Sequence, residues 1–335
     1  MTYVNNRVFW AVQAVGLAKL GSHSYTAIHG LQSVGINTTF NLEQVFELGQ
    51  IAIYENIENI PDVEVTLEKV LDGYPLIYHL ATPNATSATL VGRSNTRCNA
   101  AMAIFADNQD SASGVPLTEV LMSGMYVSSL TYTFPVEGNC TEAVTLVGND
   151  KRWRSASYKF ADTTDCDFDN TDVPAATTLG GVQRRENVVF ANSLMPEDIP
   201  NMTAGGVMVK TDDVYPAHIQ SITVSTDLGR DEINELGRKG PYHRYATFPT
   251  EVTCEIEVIA QTGDQITAHE NSTLTARAIK IALEDTTLVD LGDSCKLANT
   301  AYGGGDAGGG NATVTYSYST FNELTVTQDS DPAGL

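Results

Sequence analysis

Positive charge is scarce in this sequence. Its 335 residues hold 19 Lys and Arg against 41 Asp and Glu, a formal net charge of −22. Nucleic-acid binding by phosphate neutralisation needs clustered cations, so a chain this acidic repels nucleic acid. Solubility, or a halophilic or crowded environment, is the plain alternative account of the charge. Cysteine is scarce too. The five (Cys98, Cys140, Cys166, Cys254 and Cys295) are odd in number and widely spaced, with no Cys-x-x-Cys pair. That argues against a disulfide framework or a zinc ribbon and for reduced thiols in a cytoplasm. Long apolar runs are missing. Val8 to Leu17 is short, carries Gln13, and has neither a basic start nor a small-residue cleavage site. It is expected to be a strand rather than a signal peptide or membrane span, and neither targeting nor membrane insertion is expected.

Catalytic and ligand signatures are missing as well. The six histidines form no His-x-x-x-His or His-Glu-x-x-His pattern, so no metal is expected. There is no Gly-x-Ser-x-Gly elbow. The glycine-rich stretch from Gly303 to Gly310 lacks a phosphate-loop lysine and reads as a flexible loop. Asp162, Asp165, Asp167, Asp169 and Asp172 are donors of the kind calcium takes. The glycine and closing glutamate of an EF-hand loop are absent, and a solvated acidic loop fits better. Glu64, Glu68, Glu255 and Glu257 could supply a glycosidase pair, but evenly spaced carboxylates describe a solvent face. Six Asn-x-Ser/Thr triplets matter only in a secreted protein. No enzyme and no cofactor is expected.

What is present is alternation. From Met125 to Gly148, Leu130, Tyr132 and Phe134 share one face and Ser129, Thr131 and Thr133 the other. Pro135 to Asn139 supplies a turn, and Glu142 to Val147 a second strand. Val63 to Val70 places Val63, Val65 and Leu67 opposite Glu64, Thr66 and Glu68. Glu251 to Val258 places Val252, Cys254, Ile256 and Val258 opposite Glu251, Thr253, Glu255 and Glu257. Further strands are expected around Gln50 to Tyr54, Cys98 to Phe105, His218 to Ser225, Thr273 to Leu283 and Thr313 to Tyr318. Short helices are expected at Pro116 to Met122 and up to Arg93, the latter capped by Asn84 or Thr86. Leu228 to Lys239 reads as a charged connection or a helical turn. The fold expected is mainly β, a sandwich or barrel with one or two small helices. It forms a single domain over residues 1–335, with an acidic insertion at 161–181, a glycine-rich loop at 301–311 and a polar loop at Asp107 to Gly114.

The order of a Gly-x-Tyr-Val-Ser-Ser strand from Gly124, a Phe-Pro-Val-x-Gly-Asn turn from Phe134 and Val-Gly-Asn-Asp from Val147 resembles the tail tube (major tail) proteins of tailed bacteriophages. The likeness extends through residues 65–80, 89–105, 117–139, 218–258 and 308–326. Residues 161–181 and those up to about Phe40 depart from it. The resemblance implies a structural virion protein whose hexameric rings stack into a hollow tube that delivers DNA. It implies assembly in the host cytoplasm with further copies of itself, a tape measure protein in the lumen, and tail terminator and baseplate proteins. A sheath protein joins them if the tail is contractile. On that reading Glu64, Thr66, Glu68, Thr253, Glu255 and Glu257 face the lumen, and DNA passes without tight binding. Segments 161–181 and 301–311 are expected to mediate contact between rings. The alternatives are a secreted carbohydrate-binding β-sandwich and a carboxylate-dependent hydrolase.

Overall fold

The computed structural model describes residues 10–22, 25–49, 51–85, 87–106, 116–155, 181–203, 205–208, 210, 215–261, 263, 266, 275–304 and 310–328. The first strands are β1 (Trp10–Lys19), β2 (Thr26–Ala27), β3 (Leu31–Thr39), β4 (Leu42–Phe46), β5 (Ile53–Glu58) and β6 (Asp62–Val70). Two short helices follow, α1 (Ile77–Ala81) and α2 (Leu90–Arg93), then β7 (Arg97–Ala106), β8 (Thr118–Pro135), β9 (Thr141–Gly148) and β10 (Arg152–Ser155). After a 3-10 turn at Arg185–Asn187 come β11 (Ile219–Asp227), β12 (Arg230–Ile233), β13 (His243–Ala246) and β14 (Glu251–Ile259). The last are β15 (Lys280–Ala282), β16 (Leu288–Asp290), β17 (Lys296–Gly303), β18 (Thr313–Phe321) and β19 (Thr325–Thr327). The chain is mainly β with two short helices, as the alternation predicts. Among the described residues, no helix is long and apolar enough to cross a membrane.

β8, 18 residues long, organises the sheet. One of its edges takes β7 and then β11, and the other takes β10 and then β9. Its second half thus sits inside an antiparallel run of eight strands, β17-β18-β14-β11-β8-β9-β6-β3. Its first half carries a side arm, β7-β1-β2. Along the run, inward residues such as Val65, Leu146, Tyr132, Val224, Ile256 and Tyr316 are buried and join one core. That core is closed from the far side by α1, by the segment through Met195 and Ile199, and by the small sheet β15-β16-β19. Each large apolar side chain buried there contributes roughly 1.5–3 kcal/mol of transfer free energy.

The structure corrects several local expectations. Pro116 to Met122 is not a helix, because β8 already begins at Thr118. Thr118 to Met122 are buried on both faces: Val120 and Met122 join the main core, while Leu121 packs with Ala18, Tyr25 and Ala101. A doubly buried strand shows no period and cannot be told from a buried helix by pattern. Gly124, at φ +69, forms the bulge between the halves of β8, its N–H held by Asn99 Oδ1 at 3.2 Å. Only glycine takes that backbone conformation without strain.

Residues 228–239 are not a helical turn, since Arg230–Ile233 pairs with His243–Ala246. The strand expected around Gln50 to Tyr54 lies at Ile53–Glu58, and its partner Leu42–Phe46 carried no clear alternation. The cap of the helix ending at Arg93 is Thr89, whose Oγ1 accepts from the Gly92 N–H at 3.2 Å. Asn84 instead occupies a left-handed turn at φ +59, and Thr86 lies outside the described residues. Within Thr273 to Leu283 the strand is confined to Lys280–Ala282 among the described residues. Of the glycine-rich loop, Ala301 to Gly303 complete β17 and 305–309 lie outside the described residues. The acidic insertion is described only at Gly181, and its aspartates, Cys166 and the loop from Asp107 to Gly114 lie outside.

Candidate functional site

Pairing register decides which outward residues share a surface. Starting from β6, Glu68 stands opposite Ala143 of β9, and Ala143 opposite Thr131 of β8. Thr131 then faces Ser225 of β11, Ser225 faces Thr253 of β14, and Thr253 faces Ser319 of β18. Directly paired residues project to the same side of a sheet. All six residues expected as a set therefore lie on one surface: Glu64, Thr66 and Glu68 on β6, and Thr253, Glu255 and Glu257 on β14. The side opposite the core is a continuous, mostly polar face across the eight strands: hydroxyls and carboxylates predominate on seven of them, and β17 adds Lys296, Asn299, Ala301 and Gly303. Glu64, Thr66, Glu68 and Glu255 are exposed, and Thr253 and Glu257 half-buried.

The chemistry of this face is sparse and mostly acidic. Its paired positions carry Asp62, Glu64, Glu68, Asp227, Glu251, Glu255 and Glu257 against Lys296, and Arg244 pairs with Asp62 at the margin. Hydroxyls tether some of the acids. Ser33 Oγ donates to Glu68 Oε2 at 3.3 Å, and Ser221 Oγ donates to Glu257 Oε2 at 3.3 Å. Ser225 and Thr253 share a hydrogen bond of 2.8 Å between their hydroxyls. An open groove of about 450 Å³ crosses the strands here, lined by Ser129, Thr131, Ser225, Asp227, Glu251 and Thr253 among others. The two glutamate sets do not converge, because β9, β8 and β11 stand between β6 and β14. Among the described residues, no group of His, Cys, Asp and Glu could hold a metal ion. Cys98, Cys140, Cys254 and Cys295 are free and buried. Burial pushes the thiols of Cys98, Cys140 and Cys295 up to about 12, which removes thiolate reactivity.

A second polar cluster lies beneath the sheet and ties it to α1. Glu142 is fully buried; its carboxylate accepts from the backbone N–H groups of Ile77 (2.6 Å) and Tyr78 (3.1 Å) and from the Tyr132 hydroxyl (2.9 Å). Burial raises its pKa, opposed by the charge of Lys69 and by these hydrogen bonds. Lys69 is also buried and donates to the carbonyls of Tyr74 (3.2 Å) and Pro75 (3.0 Å), while pairing with Asp72 at 3.1 Å. Asp72 in turn meets His29 Nδ1 at 2.6 Å. The pairs lock the base of the β3–β6 hairpin to the helix. No sequence motif marks this cluster. Its signal was present in the parity of Glu142 with Val144 and Leu146, which places a carboxylate on the inward face.

No protein-family model matches the chain, and no curated protein matches it. Solved structures do. The chain is similar to a chain of the anti-feeding prophage (AFP) baseplate, 6-fold symmetrised, at 12% identity and TM-score 0.33, covering 44% of this chain and 95% of that one. It is similar to a chain of the anti-feeding prophage tube terminating cap at 14% identity and TM-score 0.33, covering 43% and 88%. A chain of the sheath-tube complex of an extracellular contractile injection system in its extended state gives 12% identity and TM-score 0.34, covering 46% and 95%.

Proposed function

We propose that the chain is a structural virion protein, a tail tube subunit that closes into hexameric rings. Stacked rings form the hollow tube through which genomic DNA reaches the host cell. The observation that carries this reading is the polar face, mostly hydroxyls and carboxylates, that crosses eight strands without a cationic cluster. Such a surface is suited to a wall along which a polyanion slides. DNA carries about one charge per ~1.7 Å of duplex axis. Like charge on the wall opposes adsorption within the screening length of about 8–10 Å. Glu64, Thr66, Glu68, Thr253, Glu255 and Glu257 then line the lumen, with a tape measure protein inside it before ejection. Terminator and baseplate proteins cap the ends, and a sheath surrounds the tube if the tail is contractile.

The edges of the run support ring closure. β3 and β17 are 9 and 8 residues long, and among the described residues each pairs on one side only. β3 has no charged residue, β17 has only Lys296, and neither has proline. Edges left open are normally short or guarded by charge and proline. An even number of antiparallel strands makes β3 and β17 run in opposite directions. A rotation about an axis that preserves strand direction brings β17 of one copy against β3 of the next in antiparallel register. A carbohydrate site would call for a row of exposed aromatics, and this face carries Phe321 alone, at its margin.

Negative-stain microscopy and light scattering of the purified protein test the reading, with rings or tubes expected at high concentration. A protein that stays monomeric at every concentration, and with tail partners added, would sink it. A paired substitution tests the edge. Of Asn299→Pro and Thr300→Pro, the variant whose lost amide points away from β18 is expected to fold and yet fail to form rings. Unimpaired rings from both would remove β17 from the interface.

A further inference from the structure

At one end of the run lie Asp62 of β6, Asp227 of β11 and Glu251 of β14. Two hairpins leave the run there: β4–β5, between β3 and β6 in the chain, and β12–β13, between β11 and β14. Arg244 of β13 ties their bases together. Its side chain is buried, pairs with both Asp62 and Glu232, and donates from Nε to Asn149 Oδ1 at 3.2 Å. Asn41 secures the other side, its Nδ2 donating to Asp62 Oδ2 at 2.9 Å and to Ile60 O at 3.3 Å. This network fixes the spacing of the two hairpins at their base.

Between the hairpins lies a groove of about 510 Å³, lined by Glu58, Asn59, Glu232, Asn234, Arg238 and Lys239 among others. That volume is usual for a small-ligand site. Among the described residues, the side chains of Glu58, Asn59, Asn234 and Lys239 have no hydrogen-bond or ion-pair partner. Arg238 has only the ring of Tyr242, 5.7 Å from its centre. Two carboxylates offset two cations, so the groove is neutral in a chain of net charge −22. Tyr242 and Phe40, the neighbour of Asn41, are exposed beside it.

Unpartnered donors and acceptors next to an aromatic ring fit a sugar. A pyranose carries adjacent hydroxyls, each both donor and acceptor, on a ring whose C–H face packs against an aromatic side chain. Amides, a carboxylate and a guanidinium can each bond two such hydroxyls at once. An acidic sugar fits less well, because its charge would meet Glu58, Glu232 and the field of the whole chain.

We propose that the groove between β4–β5 and β12–β13 is a binding site for an uncharged oligosaccharide. Glu58, Asn59, Asn234 and Arg238 bond its hydroxyls, and Tyr242 packs against a sugar ring. The wide polar face is a separate surface and lacks such rings. The inference does not rest on the tube reading, because binding is read on the purified chain whether or not it forms rings.

Titration calorimetry with N-acetylchitotetraose, maltotetraose and cellotetraose tests it. At least one of the three is expected to bind with a Kd of about 1 mM or tighter. Sialyllactose, an acidic sugar, should bind about ten-fold more weakly or not at all. Asn234→Ala with Arg238→Ala, and separately Tyr242→Ala, should each weaken binding about ten-fold or more. All three side chains are exposed, so the fold is expected to hold. Phe321→Ala, on the polar face, should bind as the wild type does. No binding of any of the three tetrasaccharides, unchanged affinity in the groove variants, or loss in Phe321→Ala in their place would overturn the site. Equal affinity for sialyllactose would overturn its assignment to uncharged sugars. A protein that forms no rings would remove the tube reading and leave this one standing.

Discussion

Reversing Glu64, Glu68, Glu255 and Glu257 to lysine is expected to turn a face that DNA slides past into one that holds it. Four substitutions shift the charge from −22 to −14, since each contributes +2. The chain stays acidic overall, and any DNA binding reports the altered face alone. Three of the four glutamates are exposed and Glu257 is half-buried. Each substitution should cost no more than about 0.5 kcal/mol, with Glu257 also losing its bond from Ser221. About four phosphate contacts per copy should weaken roughly 100-fold between 50 and 200 mM salt, the signature of counterion release. Retention of duplex DNA by assembled tubes across a salt series measures this. Particles carrying the variant tube are expected to assemble but eject their genome slowly or incompletely. Unchanged ejection, or assembled tubes with these glutamates on the outer surface, would refute the lumen assignment.

Lys69→Met is expected to lower stability by about 3–5 kcal/mol, the cost of breaking a buried ion pair from one side. It removes the cation beside the buried Glu142, leaves Asp72 its side-chain contact with His29 alone, and removes the donor to the carbonyls of Tyr74 and Pro75. The loss should depend on pH with a definite sign. Burial holds the folded pKa of Glu142 above its ordinary value. A carboxyl so raised favours the fold while protonated and loses that contribution as pH rises through its folded pKa. Without Lys69 the folded pKa climbs further. The deficit of the variant should therefore be largest at neutral pH and shrink on acidification. Denaturant unfolding at pH 5 and pH 8 reads the difference; equal deficits would mean that lost packing, not charge, is responsible. Adding Glu142→Gln should recover part of the loss, by about 0.5–3 kcal/mol of coupling between the two sites.

Alternation along β6, β9, β11, β14 and β18 was legible because period two is a local property: each residue's side follows from its neighbours. The inward Val, Ile and Tyr and the outward Ser, Thr and Glu of those strands could be assigned from sequence alone. The first half of β8 could not, because burial on both faces erases the period that distinguishes a strand from a helix. β4 and β12 were hidden for the opposite reason: they are short and mostly exposed, and neither LEQVF nor RDEI alternates apolar with polar residues. The buried place of Glu142 was half visible in its parity. Lys69 and the α1 amides that make burial tolerable arrive from distant chain segments. The candidate site divides in the same way. Sequence determined that Glu64, Glu68, Glu255 and Glu257 point away from the core. Tertiary structure decided that they share one face, because that depends on which strands lie between β6 and β14 and in what register. Strand order is set by contacts between residues far apart in the chain, and no local period encodes it.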